Sequence, residues 1–364
     1  MRLTFTLLFI SLFFSGFAQN KKPLDHSVYN NWETLGSITI GDASGEVVVY
    51  EQSPNRGDGM VILHKNIAVV DTFFRASKPQ LSYDETWLAY RLELAFDSLR
   101  QLKIKKIKEE KLPKDTAVIY CIGEGECARF FPLKKLEVPE ENSIAAFIWL
   151  DKVKEEKKET NTDSIPTDSI PVDTAKKEEK PEEKSKFKSK GTDFLVYRPN
   201  ENDTARFEHI TDFAVSENGN WALMLSNYND SLDSCRIILY DVKKKEELIN
   251  VCMPGECQKP SMAHRSQTGT FFWSTDSTKT KAYRLMLVQN GKIQLLVDTA
   301  GNNFEEGYCA STFATPYFSY SDERLIFGIA EKPVEEPEDT VPSDEISKVD
   351  VWSWTDQRMM TQQL

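Results

Sequence analysis

The sequence is poor in the motifs that carry catalysis. It has no G-x-S-x-G segment, so the strand–turn–helix that presents an α/β-hydrolase serine is not encoded in these 364 residues. It also has no phosphate loop, no dinucleotide fingerprint and no H-E-x-x-H pair. Histidine is scarce: the 4 are His26, His64, His209 and His264, each beside a strand-like run without a motif partner. A histidine in that setting is ordinarily structural. Positive charge is in deficit, with 45 Lys and Arg against 57 Asp and Glu and a formal net charge of −12. An acidic chain repels nucleic acid and anionic lipid, so neither is a default partner. The basic run at 103–108 (KIKKIK) is answered at once by Glu109 and Glu110 and reads as a solvated loop or short helix.

Long apolar runs are missing except at the N-terminus. After Met1-Arg2, residues 3–14 are nearly all apolar, and Ser15-Gly16-Phe17-Ala18 supply small residues ahead of Gln19. That is the pattern of a secretory signal peptide over 1–18, too short for a spanning helix. The mature chain is therefore expected to be exported, periplasmic or extracellular, and without membrane attachment after cleavage. An oxidising compartment makes disulfides relevant. The cysteines are Cys121, Cys127, Cys235, Cys252, Cys257 and Cys309. Cys121 and Cys127 flank a Gly-rich turn and Cys252 and Cys257 flank Pro254-Gly255, and both spacings allow a local bridge. Zinc sites need closer pairs with further ligands nearby, so no metal is expected.

The stretch that organises the rest is 213–226, FAVSENGNWALMLS. Two apolar runs flank Asn218-Gly219, the dipeptide that favours a type I′ hairpin turn. The pattern recurs at 81–92 (LSYDETWLAYRL), 265–274 (RSQTGTFFWS) and 318–329 (FSYSDERLIFGI), with a weaker copy at 41–51 (GDASGEVVVYE). The first polar positions are Asp42, Ser82, Ser216, Ser266 and Ser319. They fall about 40 to 50 residues apart, once a low-complexity insert and one further unit are allowed for in the long interval. Hairpins follow the copies, as at 235–251 and at 283–297 around Asn290-Gly291. A repeat core plus a hairpin makes four strands per unit, the content of a propeller blade. The fold expected is all-β: a partial or open β-propeller of about five to six four-stranded blades.

Composition divides the chain. Blades are expected over 19–151 and 191–330, and the start of a further, truncated blade over 348–364. The segment 152–190 is rich in Lys, Glu, Ser, Thr and Pro and cannot bury enough surface to offset its ordering entropy, so it is expected to be disordered. Residues 331–347 form a second such loop, acidic and Pro-rich. Ser164, Ser169 and Thr174 stand in Asp-Ser/Thr-aliphatic triplets, which resemble O-glycosylation acceptors of some exported bacterial proteins. A plain hydrophilic linker explains them equally well.

Four segments carry a family resemblance: 22–37 (KPLDHSVYNNWETLGS), 81–106 (LSYDETWLAYRLELAFDSLRQLKIKK), 112–120 (LPKDTAVIY) and 344–364 (DEISKVDVWSWTDQRMMTQQL). They resemble the N-terminal part of large exported prolyl-oligopeptidase-type serine peptidases of Gram-negative bacteria. The resemblance implies an N-terminal β-propeller that restricts access to a C-terminal hydrolase domain with a Ser-Asp-His triad. No triad position matches this sequence, so no catalytic residue, cofactor or metal is carried over. The function expected is a non-catalytic propeller portion that gates peptide entry to a hydrolase domain encoded elsewhere. The alternative is a stand-alone exported propeller that binds a peptide, glycan or envelope protein. An unclosed propeller also leaves strand edges and an apolar face open, so self-association is a further expectation.

Overall fold

A computed structural model of the chain describes residues 26–152, 191–227, 234–277, 280–300, 304–334 and 355. The signal segment 1–18 lies outside the described residues. So do most of the 152–190 insert, with Ser164, Ser169 and Thr174, most of the 331–347 loop, and nearly all of 348–364. No described helix is long and apolar enough to cross a membrane.

Strands follow one another in antiparallel order. The first sheet is β1 (Glu33–Ile40), β2 (Val47–Pro54), β3 (Met60–Lys65) and β4 (Ala68–Phe74). A seven-stranded sheet comes next: β5 (Ala76–Leu81), β6 (Trp87–Leu92), β7 (Asp115–Cys121), β8 (Gly125–Glu137), β9 (Ala146–Leu150), β10 (Thr192–Arg198) and β11 (Asp203–Ile210). It is two four-stranded units that share one long strand. The first part of β8 pairs with β7, and its end, from Leu133 to Glu137, pairs with β9. Pro132, which has no N–H to give a ladder, sits where the strand changes partner. We call these units the second and third sheets.

The fourth sheet is β12 (Asp212–Val215), β13 (Trp221–Ser226), β14 (Ser234–Asp241) and β15 (Glu246–Pro254). The fifth is β16 (Glu256–Met262), β17 (Gly269–Ser274), β18 (Arg284–Gln289) and β19 (Lys292–Val297). A sixth unit is present as a hairpin: β20 (Tyr308–Ala310) and β21 (Tyr317–Phe318) pair with β23 (Ile329–Glu331) and β22 (Leu325–Ile326). The single α-helix among the described residues, α1 (Phe96–Ile104), joins β6 to β7 and buries none of its side chains.

Alternation within the second strand of each sheet makes the stack radial. In β6, Leu88 and Tyr90 pack on Val49 and Leu63 of the first sheet. Trp87 and Ala89 point the other way, onto Ile148 and Leu195 of the third. In β13, Ala222 and Met224 meet Phe147 and Phe194 of the third sheet. Their neighbours Leu223 and Leu225 meet Phe271 and Val288 of the fifth. Phe272 and Leu285 then cover Leu325 and Phe327 of the sixth hairpin. The second to fifth sheets are thus buried on both faces by their neighbours in sequence order, which is the packing of propeller blades. The chain folds as an open β-propeller: five four-stranded blades and the first hairpin of a sixth among the described residues.

Arg198 adds a polar rivet to this apolar stack. It is 2% exposed. Its guanidinium donates to the Tyr240 hydroxyl at 2.6 Å, to the Val242 carbonyl, and to Asp203 at 2.9 Å. The third and fourth sheets are joined there by a buried charge with its donors satisfied.

Among the described residues, the first sheet lacks a neighbour on its far side. Register places Ile38 opposite Tyr50 and Ile40 opposite Val48, on the face away from the Val49 and Leu63 cluster. Ile38 is 59% exposed, Ile40 60% and Val69 57%. Burial therefore predicts a gradient. Phe147→Ala, in the middle of the stack, is expected to cost about 3–5 kcal/mol in urea unfolding. Ile67→Ala, at a residue 98% exposed, is expected to stay within about 0.5 kcal/mol.

Candidate functional site

The repeat motif forms the turn between the first and second strands of a blade. Its geometry recurs. Ser82 N donates to the Trp87 carbonyl at 3.0 Å, Ser216 N to that of Trp221 at 2.9 Å, and Ser319 N to that of Arg324 at 2.8 Å. Inside each loop a second bond closes a tight turn: Glu85 N to Ser82 O, Gly219 N to Ser216 O, and Asp322 N to Ser319 O. The fourth residue takes a left-handed conformation, with φ of 58° at Glu85, 64° at Gly219 and 61° at Asp322.

This differs from the type I′ turn expected at Asn218-Gly219, because only Gly219 of the pair has positive φ. Asn218 serves instead as a side-chain acceptor. Its Oδ1 takes the Asn220 N–H at 3.1 Å and the Ser216 hydroxyl at 2.9 Å. Asp84 does the same for the Thr86 N–H and the Ser82 hydroxyl. The Asn290-Gly291 turn, in contrast, has positive φ at both residues, 52° and 69°.

Two copies sit in a different register from the one the sequence suggests. In the fifth blade Ala263, not Ser266, closes the loop, through Ala263 N to Thr268 O at 2.8 Å. In the first, Gly41 rather than Asp42 does so, through Val47 O at 2.8 Å. The third blade has a turn around Asn142, whose Oδ1 accepts from Ile144 N at 3.1 Å. The sequence pattern misses that copy because Glu140 and Glu141, not a serine, precede Asn142.

These turns collect at one rim and bond from blade to blade. Glu85 accepts the N–H groups of Ser44 and Gly45, at 2.6 and 3.1 Å, and also the Ser44 hydroxyl. Asp84 N donates to the Ser143 hydroxyl at 2.7 Å. Asn218 N donates to the His264 carbonyl at 3.1 Å. The Asp322 carboxylate takes His264 N and Arg265 N, at 2.7 and 2.9 Å. Arg265 then reaches back across the rim, gripping Glu141 with two nitrogens, one at 2.9 Å, and bonding the Tyr320 hydroxyl. One side chain so links the third, fifth and sixth units.

Charges at the rim are tuned by these contacts. Arg265 holds the Glu141 carboxyl below its ordinary range. Burial opposes ionisation of Asp84, but hydrogen bonds from Ser143, Thr86 and Ser82 outweigh it and lower its pKa. Burial likewise disfavours charge on His264, yet the Phe318 carbonyl and Glu217 raise its pKa on balance. His264 Nδ1 lies 2.5 Å from Glu217 and Nε2 lies 3.2 Å from the Phe318 carbonyl. Both partners are acceptors, so only the imidazolium satisfies both.

Beside the rim a cleft of about 640 Å³ opens between the first three blades. Its walls include Ser44, Lys65, Asp84, Glu85, Glu124 and Asn200. Asp84 and Glu85 are already held by their own loops, so the cleft is an acidic joint between blades. The serines of the repeat are likewise engaged, since Ser82, Ser216 and Ser319 accept backbone N–H groups. Both ring nitrogens of His264 are occupied, and His64 Nε2 lies 3.3 Å from the Tyr50 hydroxyl. This arrangement cross-links blades and presents a charged surface; it does not assemble a nucleophile with a base.

The cysteines divide. Cys121 and Cys127 form a disulfide across the β7–β8 turn, with Cα atoms 5.9 Å apart. Glu124 sits beside them, but the bridge consumes the two thiols a metal would need. Cys252 and Cys257, the other local pair, are not joined. Cys252 pairs with Arg236 at an exposed position of β15, whereas Cys257 turns into the core between the fourth and fifth blades. The strand reversal at Gly255 sends the two side chains to different surroundings.

No family model and no curated protein matches the chain. Similar solved structures exist at low identity. The β-propeller domain of the Trilobed protease from Pyrococcus furiosus is 12% identical with a TM-score of 0.40, over 83% of this chain and 79% of that one. An acylaminoacyl peptidase in complex with a chloromethyl ketone is 12% identical with a TM-score of 0.37, over 79% of this chain and 44% of that one. Oligogalacturonate lyase from Vibrio parahaemolyticus is 12% identical with a TM-score of 0.39, over 79% of this chain and 72% of that one.

The His264 geometry has a pH signature. A raised folded-state pKa means that its stabilisation is complete below about pH 6.5, the unfolded value. It is lost as pH rises through the folded value. Arg265, Tyr320, Asp322 and Glu217 face the same loop. From pH 6 to pH 8.5 the wild type is expected to lose about 0.5–1 kcal/mol relative to His264→Gln in paired denaturation curves. Parallel curves would show that the pair contributes nothing.

Proposed function

We propose that this chain is the propeller portion of an exported prolyl-oligopeptidase-type serine peptidase. In that role it screens peptides on their way to a hydrolase domain encoded outside these 364 residues. The observation that supports this reading is the radial stack itself, whose first two blades take in the described parts of the resembling segments 22–37, 81–106 and 112–120. A rim cross-linked from the third to the sixth unit supports such a role as a size filter. On this reading, the polar edges left by its paired charges are what a passing peptide would meet. Gating by such a rim needs no reactive group of its own.

A second reading is favoured by one feature, the uncovered apolar face around Ile38, Ile40 and Val69. A stand-alone exported propeller would use that face for a partner, and a second copy of the chain is the simplest occupant. Apolar patches of this kind mark association surfaces.

The purified chain is expected to show no turnover of proline-containing chromogenic peptides. A rate abolished by a serine-directed fluorophosphonate would overturn the proposal. Reading the DNA beyond the Leu364 codon separates the two readings: a G-x-S-x-G segment followed by an Asp and a His supports the gate. An unrelated gene, with a chain that self-associates on light scattering, supports the second.

A further inference from the structure

Two buried cysteines from different blades share one core. Cys235 lies near the start of β14 in the fourth sheet and Cys257 near the start of β16 in the fifth. Each is 1% exposed, and both belong to the cluster formed with Leu225, Ile237 and Phe271. Both side chains pack into that one cluster across the blade boundary, close enough for each thiol to influence the other.

Asn227, just after β13, fixes Cys257 in place. Its Oδ1 accepts the Cys257 N–H at 3.0 Å and lies 3.4 Å from Sγ, while its Nδ2 donates to the Cys257 carbonyl at 2.9 Å. A residue held at both its N–H and its carbonyl has a fixed backbone, and so a fixed direction for its side chain. Plain apolar packing accounts for burying two small sulfur side chains. It does not require that two thiols from separate blades share one cluster.

We propose that Cys235 and Cys257 are a disulfide-forming pair that covalently joins the fourth and fifth blades. The oxidant is a small-molecule or protein disulfide. One protein thiolate attacks it and releases one thiolate of the oxidant. The second protein thiolate then attacks the mixed disulfide and releases the other. Two protein thiols are oxidised and one external disulfide is reduced, with two protons released.

Timing follows from the surroundings. Burial, then the neighbouring Cys235 thiol, raises the Cys257 thiol well above its ordinary range, so the attacking thiolate is scarce once the blades have closed. The bridge forms while the chain folds. This inference does not depend on the peptidase reading, because a stand-alone propeller would carry the same pair.

The test uses the full chain, unfolded under reduction and refolded with or without oxidised glutathione. Free thiols are alkylated and peptides are mapped by mass spectrometry without reduction. Oxidative refolding is expected to give a linked peptide pair containing Cys235 and Cys257, lost on reduction. The folded, reduced chain exposed to the same oxidant should give about tenfold less. The melting midpoint of the refolded, oxidised chain should fall on dithiothreitol treatment by about 5 °C more than that of Cys235→Ala handled identically. Recovery of both cysteines as separate alkylated peptides, or of Cys257 bridged to Cys252 or Cys309, overturns the proposal. If Cys235→Ala fails to fold, the peptide map of the wild type decides alone.

Discussion

The hydrogen-bonded loop between the first two strands of each blade decides which face of that blade meets which neighbour. Side chains alternate along a strand, so a slip of one residue would exchange Leu223 and Leu225 for Ala222 and Met224 at the interface with the fifth blade. The Ser216 and Trp221 main-chain bond, with the left-handed Gly219, prevents that slip. Large buried side chains then supply the driving force, each worth about 1.5–3 kcal/mol. Loops set the register and apolar clusters set the stability. Because every loop also bonds to the next, an error in one blade is felt at the rim of another.

Much of this was legible in the chain, and the reasons are local. A serine, a turn acid or amide and a following apolar run leave a mark at 82–90 and again at 216–224. Asn290-Gly291 announces its hairpin for the same reason. The third blade's opening turn is silent because its first strand is the tail of β8 and glutamates replace the serine. The fifth is misregistered by three residues because Ala263 closes its loop through the main chain alone. Arg265 and Glu141 stand 124 residues apart, and a pairing at that distance leaves no periodic trace. Cys252 and Cys257 suggest a bridge by spacing alone, but the turn between them sends one to solvent and one to a core.

The rim explains why an acidic chain with few histidines can still present a defined polar surface. Its charges are mostly spent on one another: Arg265 on Glu141, His264 on Glu217, Glu85 on the Ser44 loop. Paired charges hold shape while exposing polar edges. Arg198 repeats the principle in the interior, where a cation joins two blades because its hydrogen bonds are filled on both sides.

Antiparallel strands alternate ends, so connections from the second to the third strand of a blade emerge opposite the bonded loops. There the chain places α1, between β6 and β7, and the 152–190 segment, between β9 and β10. One end of the stack is bonded loop to loop; at the other, tens of extra residues separate β9 from β10 while the ladder between them stays intact. Evolution, or an engineer attaching a reporter, has one side on which to add sequence away from the bonds that join the blades.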